Sequence, residues 1–256
     1  MASEFGPPPL LSIVFPAYQE EAFLPTAVSD VVSGLRATGV AFEVLIVENG
    51  SHDQTRAVAD RLASENPEVR SLSTGQADYG RALRHGLLSA RGTYVVNFDV
   101  DLYDLDFLDA AVKRMASDAG PSIVVASKRG DAADDTRAWH RQFVTGVFSA
   151  LLRIGFGLKV SDTHGMKAMR RADVQSLAEQ CLFGTDLFDT ELILRAERAG
   201  LSTDEIGVRI VETRPARTPI LRRILRSLRG LVKLWWTLHR ENRRTRGVSF
   251  AAQERR

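Results

Sequence analysis

With 256 residues, 44% hydrophobic and 26% charged, the chain has the composition of a soluble globular protein large enough for one substantial core. No run of about 18 apolar residues is present, which argues against a membrane-spanning helix, and a lone cysteine, Cys181, rules out an internal disulfide and reads as a small core residue. The net charge of +2 hides an asymmetry: residues 214–256 hold 13 Lys and Arg against 2 acids, whereas the 213 before them hold 21 against 30. An acidic body with a basic tail points to an anionic partner at one end.

Residues 1–9 read as a disordered leader without the long apolar region of a signal peptide. Leu10 to Phe15 is a strand stopped by Pro16. The next helix places Phe23, Leu24, Ala27, Val28, Val31, Val32 and Leu35 on one buried face and ends near Gly39. A second strand, Phe42 to Val47, runs into the turn Glu48-Asn49-Gly50-Ser51 and a helix from about Asp53. Val69 to Leu72 is a short strand and Tyr79 to Ala90 a helix. The run Thr93 to Asp101 is a buried strand ending on two aspartates. A helix over about 105–115 and a strand at Ile123 to Ala126 follow. The second half is less regular: an amphipathic helix over 139–154, a loop over 162–169 leading into a short strand, a helix over 187–199 and a strand over 206–211.

Alternating strands and helices predict an α/β fold with a mostly parallel sheet flanked by helices. The expected organisation is one domain over 10–215, an amphipathic basic helix over 216–242 and a basic disordered tail over 243–256.

The chemistry centres on Asp99-Val100-Asp101. In an open α/β sheet, ligands sit beyond the carboxyl ends of the strands, and two carboxylates there suit Mg²⁺ or Mn²⁺ with bridging phosphates as further ligands. The bare pattern is weak, since a second copy, Asp104-Leu105-Asp106, lies close by and reads as a helix cap and first turn.

The ordered set of motifs resembles a family-2 glycosyltransferase with the GT-A fold, and most of all the dolichyl- or polyprenyl-phosphate sugar synthases. It is carried by Phe15-Pro16-Ala17-Tyr18-Gln19-Glu20, Val47-Glu48-Asn49-Gly50-Ser51 with Thr55, Tyr79-Gly80-Arg81-Ala82 with Gly86, Arg91-Gly92, Asp99-Val100-Asp101-Leu102, Lys128-Arg129, Asp162-Thr163-His164-Gly165-Met166-Lys167 and Phe188-Asp189-Thr190-Glu191-Leu192. The resemblance implies that Pro16, Tyr18, Glu20, Asn49 and Asp99 hold the nucleoside. It implies that Asp99 and Asp101 hold the metal and that Arg129 serves the sugar or phosphates. Lys167, Arg214 and Arg217 are expected to meet phosphate or acceptor. Asp162, Asp189 and Glu191 are the candidate catalytic carboxylates. Since Asp189 and Glu191 stand at i and i+2 on a helix, at most one of them faces the reaction centre.

Two departures stand out. Asn49 sits where such enzymes usually have an aspartate; its carbonyl still accepts a hydrogen bond but carries no charge. Tyr103, two residues beyond Asp101, falls where a further polar ligand often stands, and a protonated phenol is a poor ligand for Mg²⁺.

The implied reaction is an inverting, metal-dependent transfer of a hexose from a GDP- or UDP-linked sugar. A polyprenyl phosphate acceptor is already anionic, whereas a hydroxyl acceptor requires a carboxylate base. The lipid phosphate is the favoured acceptor; a soluble transferase with a hydroxyl acceptor and a catalytically silent binding protein are the alternatives. In the tail, Leu221, Ile224, Leu225, Leu228, Leu231, Val232, Trp235 and Leu238 form a stripe flanked by Arg and Lys. This is the make-up of a helix lying in an anionic membrane interface, with packing on the sheet or in a homodimer as the alternative reading. No motif for nucleic-acid readout is present. The expected location is cytoplasmic and peripheral to the membrane.

Overall fold

The structure, a computed structural model, describes residues 10–127, 160, 163, 165–208, 230–237 and 240. The chain falls into two compact units, Met1–Arg214 and Pro215–Arg256. The first unit contains β1 (Leu11–Ala17), α1 (Leu24–Thr38), β2 (Phe42–Glu48), α2 (Thr55–Glu65), β3 (Val69–Ser73), α3 (Tyr79–Ser89), β4 (Tyr94–Asn97), α4 (Leu105–Met115), β5 (Ile123–Ser127), β6 (Lys167–Arg170), α5 (Arg171–Gln180), a 3-10 turn (Thr185–Leu187), α6 (Phe188–Arg198) and β7 (Thr203–Gly207). In the second unit residues 230–237 are helical.

The strands form one sheet in the order β3-β2-β1-β4-β6-β5-β7. β3, β2, β1 and β4 run parallel, β6 runs antiparallel between β4 and β5, and β7 is parallel to β5. Every residue of β1 is buried, because helices cover both faces of a parallel sheet. Alternation along the strand sends Ile13 and Phe15 to one face, where they join Val28, Val31, Val32 and Leu35 of α1 and Phe107, Leu108 and Ala111 of α4. Val14 points the other way, towards α3. There a Cβ added to Gly86 would stand 2.3 Å from Val14 Cγ1, so the glycine lets the helix lie directly on the sheet.

β1 does not stop at Pro16. It continues to Ala17, with Pro16 opposite Val47. Val14 presents its carbonyl to Phe98 N–H on the β4 side, so two residues on Pro16 faces the same side. The β1–β4 register ends at Val14↔Asn97, so Pro16 lies past the last ladder bond and its missing N–H costs nothing there. Beyond this point β1 and β4 are no longer paired. The connections from β1 run towards β2 and β3, while β6 and β5 lie beyond β4. The unpaired ends of β1 and β4 therefore mark the switch point where a ligand crevice is expected in an open α/β sheet.

Other expectations are corrected. Phe23 is 49% exposed at the N-terminal boundary of α1 instead of joining its buried face. The last strand lies at Thr203–Gly207, not over 206–211, and α5 is not among the expected elements. By contrast Asp104 is, as expected, the N-cap of α4, accepting from Asp106 and Phe107 N–H, with Asp106 in the first turn. Arg91-Gly92, one of the family-like motifs, sits at the opposite edge from the strand tips. There Gly92 N–H donates to Ser12 Oγ, and Arg91 N–H, Ser12 Oγ and the Arg70 guanidinium all donate to the buried Glu43 carboxylate. The predicted 139–154 helix lies outside the described residues.

Candidate active site

The first wall of the crevice is the loop after β1. It is stitched to the segment after β2 by Gln19 N–H to Ser51 Oγ (3.1 Å), Glu20 N–H to Thr55 Oγ1 (2.8 Å) and Gln54 N–H to a Glu21 carboxylate oxygen (2.8 Å). Gln19 takes a left-handed φ of 55° to make this turn, a conformation that costs a non-glycine residue free energy. Asn49 leaves β2 with its N–H on Ala17 O (3.0 Å). Its turn is held by Glu48, whose carboxylate accepts from Ser51 N–H and Ser73 Oγ. Asn49 is buried, and its side-chain carbonyl oxygen has no hydrogen-bond partner. A buried acceptor left unmade is destabilising, and a ligand donor would satisfy it. Pro16, Tyr18, Glu20 and Asn49 thus gather at the tips of β1 and β2.

The opposite wall is the Asp-x-Asp turn. Asp99 and Leu102 exchange reciprocal backbone hydrogen bonds of 3.1 and 3.0 Å, which fold Asp99-Val100-Asp101-Leu102 into a tight reversal beyond β4. Val100 is buried and anchors the turn, while Asp101 is exposed. Tyr79, the first residue of α3, donates its hydroxyl to Asp99 Oδ1 at 3.0 Å. Burial pushes the Asp99 carboxyl up; the Tyr79 hydrogen bond and the Lys167 charge pull it back, and the Asp101 and Asp189 charges push it up again. Burial and the Asp99 charge hold the Tyr79 phenol well above its ordinary range, so it remains a donor. Among the described residues no group of three His, Cys, Asp or Glu side chains gathers for a metal. Two carboxylates whose charges oppose each other are nonetheless what Mg²⁺ or Mn²⁺ takes from a protein when phosphates and water complete the shell. The donor set therefore fits a diphosphate-bound cation.

Tyr103 plays no part in that donor set. Its hydroxyl donates to Asp30 of α1 at 2.7 Å and its ring packs against Phe15 and Phe98. Burial and Asp30 push its pKa up to about 12.

Behind Asp99 lies a buried polar cell. Lys167 opens β6 opposite Asn97, with its side chain fully buried. Its ammonium meets Asp189 Oδ1 at 2.9 Å, Gly165 O at 2.8 Å and Thr163 O at 3.2 Å. Asn97 donates from Nδ2 to Gly165 O, and Thr163 and Thr190 share a hydrogen bond. Lys167, expected to meet phosphate or acceptor, is fully buried: its ammonium donates to the Gly165 and Thr163 carbonyls and pairs ionically with Asp189, whose Oδ1 makes no hydrogen bond. The candidate catalytic carboxylate Glu191 is also turned into the protein. It is fully buried, one oxygen paired to Arg195 and the other accepting from Leu182 and Phe183 N–H, so it braces the loop before α6. Asp189, whose charge acts on Asp99, is paired with Lys167.

Sequence reasoning missed Asp78. It caps α3 through Arg81 N–H and also accepts from Thr185 N–H, fastening the loop before α6 to the start of α3. Gly80 allows this, since a Cβ there would lie within 2.8 Å of Gly184, Thr185 and Phe188 atoms. As parts of a motif, Tyr79 and Gly80 carry no role of their own in the sequence reading. Asp162, His164, Arg129, Arg214 and Arg217 lie outside the described residues.

An open sheet with one reversed strand among parallel ones, and an Asp-x-Asp turn at the switch point, define an α/β domain of the GT-A type. The chain belongs to glycosyl transferase family 2, whose model matches residues 12–177. It is 30% identical over 247 residues to the glycosyltransferase AglD of Haloferax volcanii, covering 94% of this chain and 39% of AglD. It is 28% identical over 242 residues to the dolichyl-phosphate beta-glucosyltransferase of Drosophila melanogaster, covering 88% of this chain and 74% of that protein. Among solved structures it resembles glucosyl-3-phosphoglycerate synthase from Mycobacterium tuberculosis in complex with UDP: 26% identity, TM-score 0.59, 81% of this chain and 73% of that one. Mannosyl-3-phosphoglycerate synthase from Rubrobacter xylanophilus shares the fold, with a TM-score of 0.69 at 17% identity over 92% of this chain and 75% of that one. The chain thus spans about two fifths of AglD and about three quarters of the Drosophila protein.

Proposed function

We propose that this protein transfers a hexose, with inversion, from a nucleoside-diphosphate sugar to a polyprenyl phosphate. The observation that carries the choice of acceptor is that both carboxylates of α6 are buried against basic partners. Asp189 is buried against Lys167, and Glu191 is held by Arg195 and two backbone N–H groups. A hydroxyl acceptor needs a carboxylate base, whereas a phosphate monoester reaches the anomeric carbon already ionised. The relatives at 28% and 27% identity named as a dolichyl-phosphate glucosyltransferase and an undecaprenyl-phosphate transferase support the same acceptor.

In this reading the crevice between the β1 and β4 tips takes the nucleotide. Pro16, Tyr18 and Glu20 line the nucleoside, and the unpartnered Asn49 carbonyl accepts a donor from the base edge. Asp99 and Asp101 would hold Mg²⁺ or Mn²⁺, which when bound neutralises charge on the departing nucleoside diphosphate. Arg129, Arg214 and Arg217 remain the proposed cations for phosphate and acceptor.

We further propose that the protein works at a membrane surface. Among the described residues no helix is long and apolar enough to cross one. In the 230–237 helix Leu231 and Leu234 are buried, while Val232, Trp235 and Trp236 are exposed at i, i+3 and i+4, with the Arg240 guanidinium over the Trp236 ring. Exposed tryptophans beside Lys233 and Arg240 suit an anionic lipid interface.

The test is a transfer assay with UDP- and GDP-hexoses, Mn²⁺, and either a short polyprenyl phosphate or the corresponding polyprenol. Product is expected with the phosphate alone and should vanish in Asp101→Ala, whose exposed position spares the fold. Transfer to the polyprenol overturns the acceptor assignment, and unchanged turnover in Asp101→Ala overturns the metal assignment.

A further inference from the structure

We infer that Tyr79 is a positioning residue for the metal and diphosphate site, fixing the Asp99 carboxylate through its phenol. The inference rests on Asp99 and Asp101 being the cation ligands and goes beyond it in giving Asp99 an orienting partner from a different element.

The Asp99 main chain is locked by its exchange of hydrogen bonds with Leu102, which leaves the side-chain torsions as its remaining freedom. Those torsions are set by the Tyr79 hydroxyl on Oδ1 at 3.0 Å. The bond occupies one oxygen and leaves Oδ2 for a cation or a cation-bound water. The alternative attraction for Asp99 is inward, since the Lys167 ammonium acts on it and already holds Asp189. A carboxylate without the phenol has an opposite charge behind it and a repelling carboxylate, Asp101, beside it. Tyr79 holds it against that pull.

The tyrosine is itself held firmly. It is the first residue of α3, directly after Asp78, which caps the helix and binds Thr185 N–H. It is followed by Gly80, against which Gly184 and Phe188 pack closely. The start of α3 thereby fixes two things at once. Asp78 and Gly80 set the loop leading into α6, and Tyr79 sets the Asp-x-Asp turn. Partners that orient a metal ligand commonly change metal affinity about 10- to 100-fold when removed.

The experiment measures Mn²⁺ affinity in the presence of saturating UDP, by Mn²⁺ electron paramagnetic resonance, for wild type, Tyr79→Phe, Asp99→Asn and the double variant. Phe keeps the ring, so the melting temperature should stay near that of wild type. Tyr79→Phe is expected to weaken Mn²⁺ binding about 10-fold. It should add nothing in the Asp99→Asn background, because the phenol acts through that carboxylate. A Tyr79→Phe protein with wild-type Mn²⁺ affinity overturns the inference, and so does a full additional loss in the double variant. Asp101→Ala is the control for the underlying site. If it binds Mn²⁺ as wild type does, the cation site itself is misplaced, an outcome distinct from failure of Tyr79 alone.

Discussion

Replacing Lys167 with Met tests the buried ion pair on which the acceptor argument depends. The Lys167 side chain is 0% exposed and that of Asp189 3%, with 2.9 Å between ammonium and carboxylate. Met has a similar shape but no charge. The variant would leave the Asp189 carboxylate in a site closed to water and strip the Gly165 and Thr163 carbonyls of a donor. Removing one partner of a buried pair costs about 3–5 kcal/mol, because the other charge stays behind. For a chain of this size each kcal/mol lowers the melting temperature by about 2–4 °C, so a fall of about 6–20 °C is expected. Urea unfolding with linear extrapolation gives the free energy, and an unchanged m-value shows that the loss lies in the native state. Lys167→Met combined with Asp189→Leu removes both charges and should recover about 2–3 kcal/mol relative to the sum of the single losses. A cost below about 1 kcal/mol for Lys167→Met, or strictly additive losses, would show that the two charges are not coupled as a buried pair.

Two further expectations follow from groups outside that cell. The Cys181 thiol is pushed up to about 12 by burial first and then by the Glu191 charge. Between about pH 9 and 12 the unfolded chain has lost a proton that the folded one keeps, so stability should fall as pH rises, by up to about 1.4 kcal/mol per unit. Cys181→Ala should flatten that alkaline limb, and an identical limb in wild type and variant would remove the thiol as its cause. Replacing Trp235 and Trp236 with Ala should weaken co-sedimentation with phosphatidylserine vesicles and leave UDP binding intact; undiminished sedimentation counts against the interface reading.

Much of the first half of the fold is legible in the sequence because its signals are local. The α1 stripe repeats at helical spacing and Gly39 closes it in the left-handed region at φ 70°. β1 and β2 are short apolar runs bounded by turn residues, and the aspartates fall beyond a buried strand as expected. The rest is hidden for physical reasons. α5 buries only Val174 and Ala178 within its length, too thin a stripe to register as a period. β6 begins on Lys167, whose partner, a carboxylate 22 positions on, no local pattern names. Its antiparallel direction depends on which strands flank it, information that no window of sequence holds. Glu191 passes for a catalytic carboxylate although a local sign points elsewhere: Arg195 stands four residues on, the spacing of a helical ion pair.

The same distinction explains why the candidate site is visible in the sequence while its internal organisation is not. Asp99 and Asp101 stand out because they follow a buried strand within an ordered set of family-like motifs. The residues that define their chemistry are contributed by α3, β6 and α6, none of them adjacent to the turn in sequence. Tyr79 reaches Asp99 across 20 positions, and Lys167 pairs with Asp189 across 22. A carboxylate's presence on a motif therefore does not assign it a role; its surroundings do. Asp101 stands exposed at the crevice, whereas Glu191 is fully buried with both oxygens occupied by the protein itself. With Asp189 and Glu191 both engaged, the chemistry left to the described residues is the binding of a diphosphate and its cation. That fits the proposed acceptor, a phosphate that brings its own negative charge; Asp162, the remaining candidate base, lies outside the described residues.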